Sequence, residues 1–123
     1  MKPGDRTTIP TVAESVRDAA AICDPEGIDT VVTALFEAFE DDDRPATASE
    51  DLGGELRETV EAVDPDGDSP AGLMAVAAAV WLATNPQHEH DPERVLQESA
   101  RLVFEGDPPE HVVAWLDERG ITV

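Results

Sequence analysis

Hydrophobic residues recur at helical spacing along most of the chain, and this pattern predicts an all-α protein of five to six short helices. The clearest example runs from Ile28 to Phe39, where apolar side chains fall at the offsets that place them on one face of a helix. Apart from a short extended stretch at 121–123, no segment has the alternation and the density of β-branched residues that a strand requires. We therefore expect a compact helical bundle in which each amphipathic helix turns its apolar face inward.

The centre of this bundle is predicted to be the segment 69–85, which carries no charged side chain. Its many alanines let neighbouring backbones approach closely, while Leu73 and Trp81 add volume. The apolar part is shorter than the roughly 20 residues that a helix needs to cross a bilayer, so no membrane partner is expected. The pattern predicts a buried core helix with Ser69 as its N-cap and Pro70 in its first turn.

Capping residues indicate where the other helices begin. Thr11 and Glu14 have the spacing of a capping box before helix one. The Asp-Pro-Glu sequence at 24–26 predicts the start of helix two, because the carboxylate caps free amides and proline is tolerated in the first helical turn. The expected starts of the remaining helices are Ser49, the Asp-Pro-Glu at 91–93 and the prolines after Asp107. We interpret the recurring Asp-Pro-Glu as shared capping chemistry and not as an internal repeat.

The length of the chain predicts a single domain. A chain of 123 residues can bury roughly two-thirds of its unfolded surface without a disulfide or a metal. Residues 1–10 have no periodic apolar pattern and predict a flexible tail, which leaves one helical domain at 11–123. They also lack the apolar segment of a signal peptide, so we expect a cytoplasmic protein. The lone Cys23 lies in an apolar stripe and is expected to be a buried small hydrophobe.

The charge of the chain is strongly one-sided. There are 28 acidic residues against eight basic ones, which gives a formal net charge of -20, and Lys2 is the single lysine. Such a surface repels itself in dilute buffer, but the repulsion is screened to about 3 Å in molar salt. The composition resembles that of proteins from extremely halophilic archaea. The resemblance implies a high-salt cytoplasm and carries no information about activity.

Two polar segments contain residues that can bind metal ions. His88, His90 and Asp91 belong to the densest group of potential ligands and are weak candidates for a zinc or nickel site. A site built on the two histidines still needs a third and a fourth ligand, and the sequence places neither Cys23 nor His111 beside them. The acidic turn at 64–68 resembles the start of a calcium loop, but Ala75 stands where the closing bidentate Glu is needed. We therefore expect no specific metal and no cofactor, and interpret both segments as solvated polar loops.

No catalytic residue is predicted, because the chain has neither a nucleophile elbow nor a phosphate-binding glycine loop. The aromatic Trp115 is expected in the core. If it were exposed together with Phe104 and Val112 on the last two helices, the three would form a weak candidate for a partner-binding patch.

These observations favour a small, monomeric, non-catalytic protein-interaction or regulatory module whose protein partner is unknown. One alternative is a nucleic-acid-associated protein, since helices five and six are joined by a short turn and loosely resemble a helix-turn-helix. The acidic residues of helix six argue against it, because they would meet phosphates with net negative charge. A further alternative is a metal-dependent enzyme that uses the loop from His88 to Asp91.

Overall fold

The described part of the chain folds into six α-helices packed against one another. The computed structural model describes residues 10–46, 51–85, 91–105 and 107–121. No strand is present in this part of the chain, so the all-α prediction is confirmed. The helices are α1 (Val12–Cys23), α2 (Thr30–Phe39), α3 (Leu52–Val63), α4 (Pro70–Thr84), α5 (Pro92–Phe104) and α6 (Glu110–Asp117).

Helix α4 is the centre of the fold, as predicted. It contacts each of the other five helices. Its alanines from Ala75 to Ala79 and Met74 are buried, and it has no polar face. Ser69 caps it by accepting a hydrogen bond from the amide of Gly72, and Pro70 occupies the first turn. A helix that is apolar all round needs cover on every side, which explains why the amphipathic helices surround it.

The predicted capping box of α1 is present. The Oγ1 atom of Thr11 accepts a hydrogen bond from the Glu14 amide at 3.0 Å, and the Glu14 carboxylate accepts one from the Thr11 amide at 2.9 Å. Two further amides at this helix start, those of Val12 and Ala13, donate to the carbonyls of Arg44 and Asp42. The segment after α2 therefore completes the N-terminus of α1 and ties it to the end of α2.

The predicted start of α2 is wrong. Asp24 does not begin a helix: its carboxylate accepts hydrogen bonds from the amides of Ile28 and Asp29, and Gly27 turns the chain with a φ of 70°. The helix begins at Thr30, with Asp29 as its N-cap. Ile28, which the periodicity placed on the buried face, lies before the helix and is 75% exposed.

The same turn recurs between α3 and α4, 40 residues later in the chain. Asp64 ends α3 with φ and ψ of -144° and 67°, against -143° and 66° for Asp24 at the end of α1. Gly67 has a φ of 66°, and the Asp64 carboxylate accepts from the two amides that follow it. The α1–α2 and α3–α4 pairs are thus joined by equivalent turns. Comparing the Asp-Pro-Glu sequences at 24–26 and 91–93 did not reveal this correspondence.

The two turns meet in space. Asp29, the N-cap of α2, accepts a hydrogen bond from the hydroxyl of Ser69, the N-cap of α4. The first turns of α2 and α4 approach so closely that a Cβ atom on Gly72 would lie 2.5 Å from Cγ1 of Val31. The glycine is therefore required by the contact between the two helices.

Several boundary and burial predictions differ from the structure. The N-cap of α3 is Asp51, whereas the predicted Ser49 lies outside the described residues. Helix α6 begins at Glu110 without a side-chain cap. The apolar pattern of their helices predicts three further inward-facing residues, but all three are exposed: Val63, Leu102 and Val113.

Gly120 followed by Ile121 predicts a glycine C-cap for α6, and this prediction is confirmed. Gly120 has a φ of 76°, and the amide of Ile121 donates to the carbonyl of Leu116 at 3.0 Å. Ile121 thereby folds back onto the last turn and is buried. None of the six described helices is both long and apolar enough to span a bilayer. The tail predicted at residues 1–10 falls outside the described residues, apart from Pro10.

Candidate functional site

A cleft of about 440 Å³ opens where the α1–α2 turn, the start of α5 and the end of α6 come together. The turn contributes an exposed isoleucine, α5 contributes Leu96, and the C-terminus of α6 contributes an aromatic ring, a guanidinium and an isoleucine. Its volume lies within the roughly 300 to 1,000 Å³ of typical ligand pockets. The residues that line it are Ile22, Cys23, Asp24, Pro25, Glu26, Ile28, Asp29, Ala71, Pro92, Glu93, Leu96, Trp115, Arg119 and Ile121.

Arg119 and Trp115 form the most distinctive contact in the cleft. They are one helical turn apart, so the guanidinium can lie over the indole ring, with its carbon 3.6 Å from the ring centroid. Its Nη1 also donates a hydrogen bond to the Trp115 carbonyl at 2.9 Å. These two contacts fix the guanidinium at the end of α6 and leave its remaining N–H donors without a partner among the described residues.

No carboxylate of the described chain lies within ion-pair distance of Arg119, although four acidic residues line the cleft. Asp24 and Asp29 direct their carboxylates at backbone amides of the turn and of α2. Glu26 and Glu93 are exposed. Among the described residues, Arg119 is thus a cation without an ion-pair partner, in a chain whose charges are mostly negative.

Cys23 lies in the wall of the cleft but offers no reactive thiol. The side chain is buried, with 1% of the residue exposed. Burial raises the pKa of the Cys23 thiol strongly, and nearby Asp24 and Asp29 add to the rise, whereas Arg119 opposes it. The thiolate, which is the nucleophilic form, is therefore disfavoured. This confirms the prediction of Cys23 as a buried hydrophobe.

The candidate metal ligands are not brought together in the described part of the chain. His88 and His90 lie outside it, and Asp91 uses its carboxylate to cap α5 by accepting from the Glu93 amide at 3.0 Å. The described residues contain no group of three or more potential metal ligands. In the acidic turn, Asp64 directs its oxygens at backbone amides. Its role there is to close a turn.

The three candidate partner-binding residues do not form an exposed patch. Val112 and Trp115 are buried, and Phe104 is half-buried. Trp115 instead contributes its ring to the cleft. Sequence reasoning missed Ile28 and Arg119. The available signals were a hydrophobic residue between Gly27 and Asp29 in a turn, and an arginine four positions after a tryptophan.

The exposed surface of α6 is unfavourable for phosphates. Glu110 and Asp117 are exposed at its two ends, and both are acidic. Comparisons of the chain with protein-family models, with curated proteins and with solved structures find no match.

Proposed function

We propose that the protein is a non-catalytic protein-interaction module, and that the cleft between α1, α5 and α6 receives an apolar side chain of its partner. The observation that carries the proposal is the exposure of Ile28 at the cleft. This side chain is 75% exposed although buried aliphatic residues lie nearby in the same cleft. Covering it with a partner's apolar side chain removes hydrophobic surface from water, which favours association.

The chemistry of the lining supports binding over catalysis. The one thiol is buried and protonated, and the carboxylates of Asp24 and Asp29 are engaged by backbone amides. A general base or nucleophile needs a group that is free to reach a substrate. The accessible groups at the cleft are apolar surface, one guanidinium and the exposed carboxylates of Glu26 and Glu93. The apolar surface and the guanidinium are elements of a recognition site.

Fluorine NMR of fluorotryptophan-labelled protein tests this proposal. The chain has two tryptophans: Trp115 lines the cleft and Trp81 does not, so Trp81 is an internal reference that is assigned with Trp81→Phe. The probes are short, capped, glycine-based peptides that carry one central leucine or phenylalanine. We expect these peptides to shift the Trp115 resonance and leave the Trp81 resonance in place, whereas a glycine-only peptide shifts neither.

Two matched variants locate the binding surface. Ile28→Asp places a charge at the cleft, and Val63→Asp places one at a second exposed aliphatic residue, on α3 and away from the cleft. Ile28→Asp should abolish the peptide-induced shift, and Val63→Asp should preserve it. The proposal is overturned if no apolar peptide moves the Trp115 resonance, or if both variants weaken binding equally.

The setting of this module is a high-salt cytoplasm in which it acts as a monomer. Support comes from the excess of negative charge and from the small number of ion pairs among the described residues. Acidic neighbours such as Asp41 and Asp43 repel each other unless salt screens them. Helicity measured by circular dichroism should therefore rise from dilute buffer to molar potassium chloride. An identical spectrum in both solutions would remove the argument for a high-salt setting.

A further inference from the structure

We infer that the cleft recognises the C-terminal residue of a partner chain, with an apolar side chain against Ile28 and the terminal carboxylate paired with Arg119. This inference rests on the proposed function and names the chemistry of its partner. It follows from three features of the cleft: a guanidinium without an ion-pair partner among the described residues, an apolar wall beside it, and two carboxylates, those of Asp24 and Asp29, that backbone amides already engage.

The guanidinium of Arg119 is positioned to bind a carboxylate. It is held by the Trp115 ring and the Trp115 carbonyl, and its other donors have no partner in the described chain. A guanidinium presents its N–H donors in a rigid fork that matches the two oxygens of a carboxylate. Because the fork is already fixed, little side-chain entropy remains to be lost when it binds.

A cationic partner fits the cleft poorly in spite of the acidic lining. The face of Trp115 that would attract a cation is covered by Arg119. Asp24 and Asp29 bind backbone amides, so a cation would have to compete with turn and cap hydrogen bonds. The exposed carboxylates of Glu26 and Glu93 would repel a strongly acidic segment. The ligand can therefore carry only a small negative charge.

The size of the cleft favours a chain terminus over an internal acidic residue. Apolar surface from Ile28, Leu96 and Ile121 shares one cleft of about 440 Å³ with the guanidinium. In an extended peptide, an Asp next to a leucine points away from the leucine's pocket, and an Asp two residues away shares its face but lies roughly 7 Å further along the chain. A terminal residue carries its apolar side chain and its carboxylate on one Cα atom, and both can enter together.

The test compares three peptides of otherwise identical sequence by titration in molar potassium chloride, with the Trp115 fluorine resonance as the readout. The first ends in leucine with a free carboxylate, the second is its C-terminal amide, and the third is the amide with Asp two residues before the leucine. A charge-assisted hydrogen bond contributes about 1.5 to 3 kcal/mol, so we expect the free acid to bind at least about tenfold more tightly than the amide. The Asp-containing amide should bind no better than the plain amide.

Variants separate pairing with Arg119 from a general effect of charge or stability. Arg119→Gln should reduce the affinity for the free acid to that for the amide and leave amide binding intact. Arg119→Lys, which keeps the charge but lacks the fork, should retain part of the preference. Arg57→Gln removes the same charge from α3, outside the cleft, and should keep the full preference.

The possible failures are distinguishable. Equal binding of the acid and the amide by the wild-type protein overturns the carboxylate inference and leaves the docking of an apolar side chain standing. Tight binding of the Asp-containing amide overturns the assignment to a chain terminus. Loss of acid preference in Arg57→Gln shows a general charge effect and also overturns the inference. If none of the peptides binds the wild-type protein, the proposed function fails together with it.

Discussion

The hydroxyl of Ser69 donates a hydrogen bond to the carboxylate of Asp29, with 3.1 Å between Oγ and Oδ2. Each residue is the N-cap of a helix, and the two helices follow equivalent turns 40 residues apart. The Asp29 carboxylate therefore serves three donors: the amides of Val31 and Val32 and the hydroxyl of Ser69. This contact couples the starts of α2 and α4.

Removing the two caps should show this coupling. We expect Asp29→Ala to lower the free energy of unfolding by about 1 to 2 kcal/mol and Ser69→Ala by about 1 kcal/mol, because each leaves helix amides without acceptors. The double variant should be less destabilised than the sum, since the shared hydrogen bond can be lost only once. Urea denaturation in high salt measures the free energy of unfolding of the wild type, the two single variants and the double variant.

Asp51 provides the control for this cycle. It caps α3 by accepting from the Gly54 amide and shares no hydrogen bond with Asp29 or Ser69. Asp51→Ala combined with Asp29→Ala should therefore be additive. Additivity of the Asp29 and Ser69 substitutions would contradict the coupling.

Replacing each of two glycines by alanine should change the stability of the protein in opposite directions. Gly72→Ala should destabilise the protein, because the new Cβ would lie 2.5 Å from Cγ1 of Val31 and overpacking costs roughly 1 to 3 kcal/mol. Gly53→Ala should stabilise it by up to about 1 kcal/mol, since that Cβ would be 3.4 Å from Cγ2 of Val80 and alanine favours helix. Thermal unfolding of both variants, compared with the wild type, measures these two changes in stability.

A compensating substitution tests the stated cause. Val31→Ala removes Cγ1, the atom nearest to the new Cβ, and leaves the Val31 Cβ at 3.2 Å. Gly72→Ala should therefore cost less in a Val31→Ala background than in the wild type. If Gly72→Ala proves as stable as the wild type, the close approach of α2 and α4 is wrong.

The pKa of Asp42 should depend on Arg44. The Arg44 side chain donates to both Asp42 oxygens, and these hydrogen bonds hold the pKa of the Asp42 carboxyl below its ordinary value of 3.8. The resulting stabilisation is present above that ordinary value and is lost as the pH falls through the lowered one. Arg44→Gln should raise the pKa of Asp42, as measured by NMR titration of the side-chain carboxyl carbon. Arg101→Gln, which leaves this pair intact, should not.

Cys23 should resist alkylation in the folded protein. Burial raises the pKa of its thiol, so both access and thiolate formation are disfavoured at neutral pH. We expect iodoacetamide to modify the folded protein many-fold more slowly than the protein in denaturant, as followed by mass spectrometry. Equal rates would mean that the wall of the cleft opens readily.

The sequence predicted the helices well wherever local chemistry alone decides them, as at the capping box of Thr11 and the cap of α4 at Ser69. It failed at α2, where Asp-Pro-Glu looks like the start of a helix. The same three residues do start α5 at 91–93. The difference lies in the next residue: Gly27 has a positive φ and turns the chain, whereas Arg94 continues the helix.

The cleft was less predictable, because its parts come from distant segments. Trp115 lies on α6 and Arg119 follows four positions later, just beyond the end of the helix, so their contact is visible in the spacing. That Ile28 and Leu96 join them depends on how α5 and α6 pack against the α1–α2 turn. Side-chain periodicity defines which face of a helix is buried but leaves its neighbours undefined.

The turn that joins α1 to α2 and α3 to α4 closes through hydrogen bonds between residues no more than five positions apart. Such short loops cost little chain entropy to close, so we expect each turn to form before the helices pack. Its geometry is specified by an aspartate, a proline and a glycine at fixed places. We therefore expect the sequence Asp-Pro-x-Gly-x-Asp/Ser to form the same turn between two helices of another protein. There it should set the direction in which the second helix leaves the first.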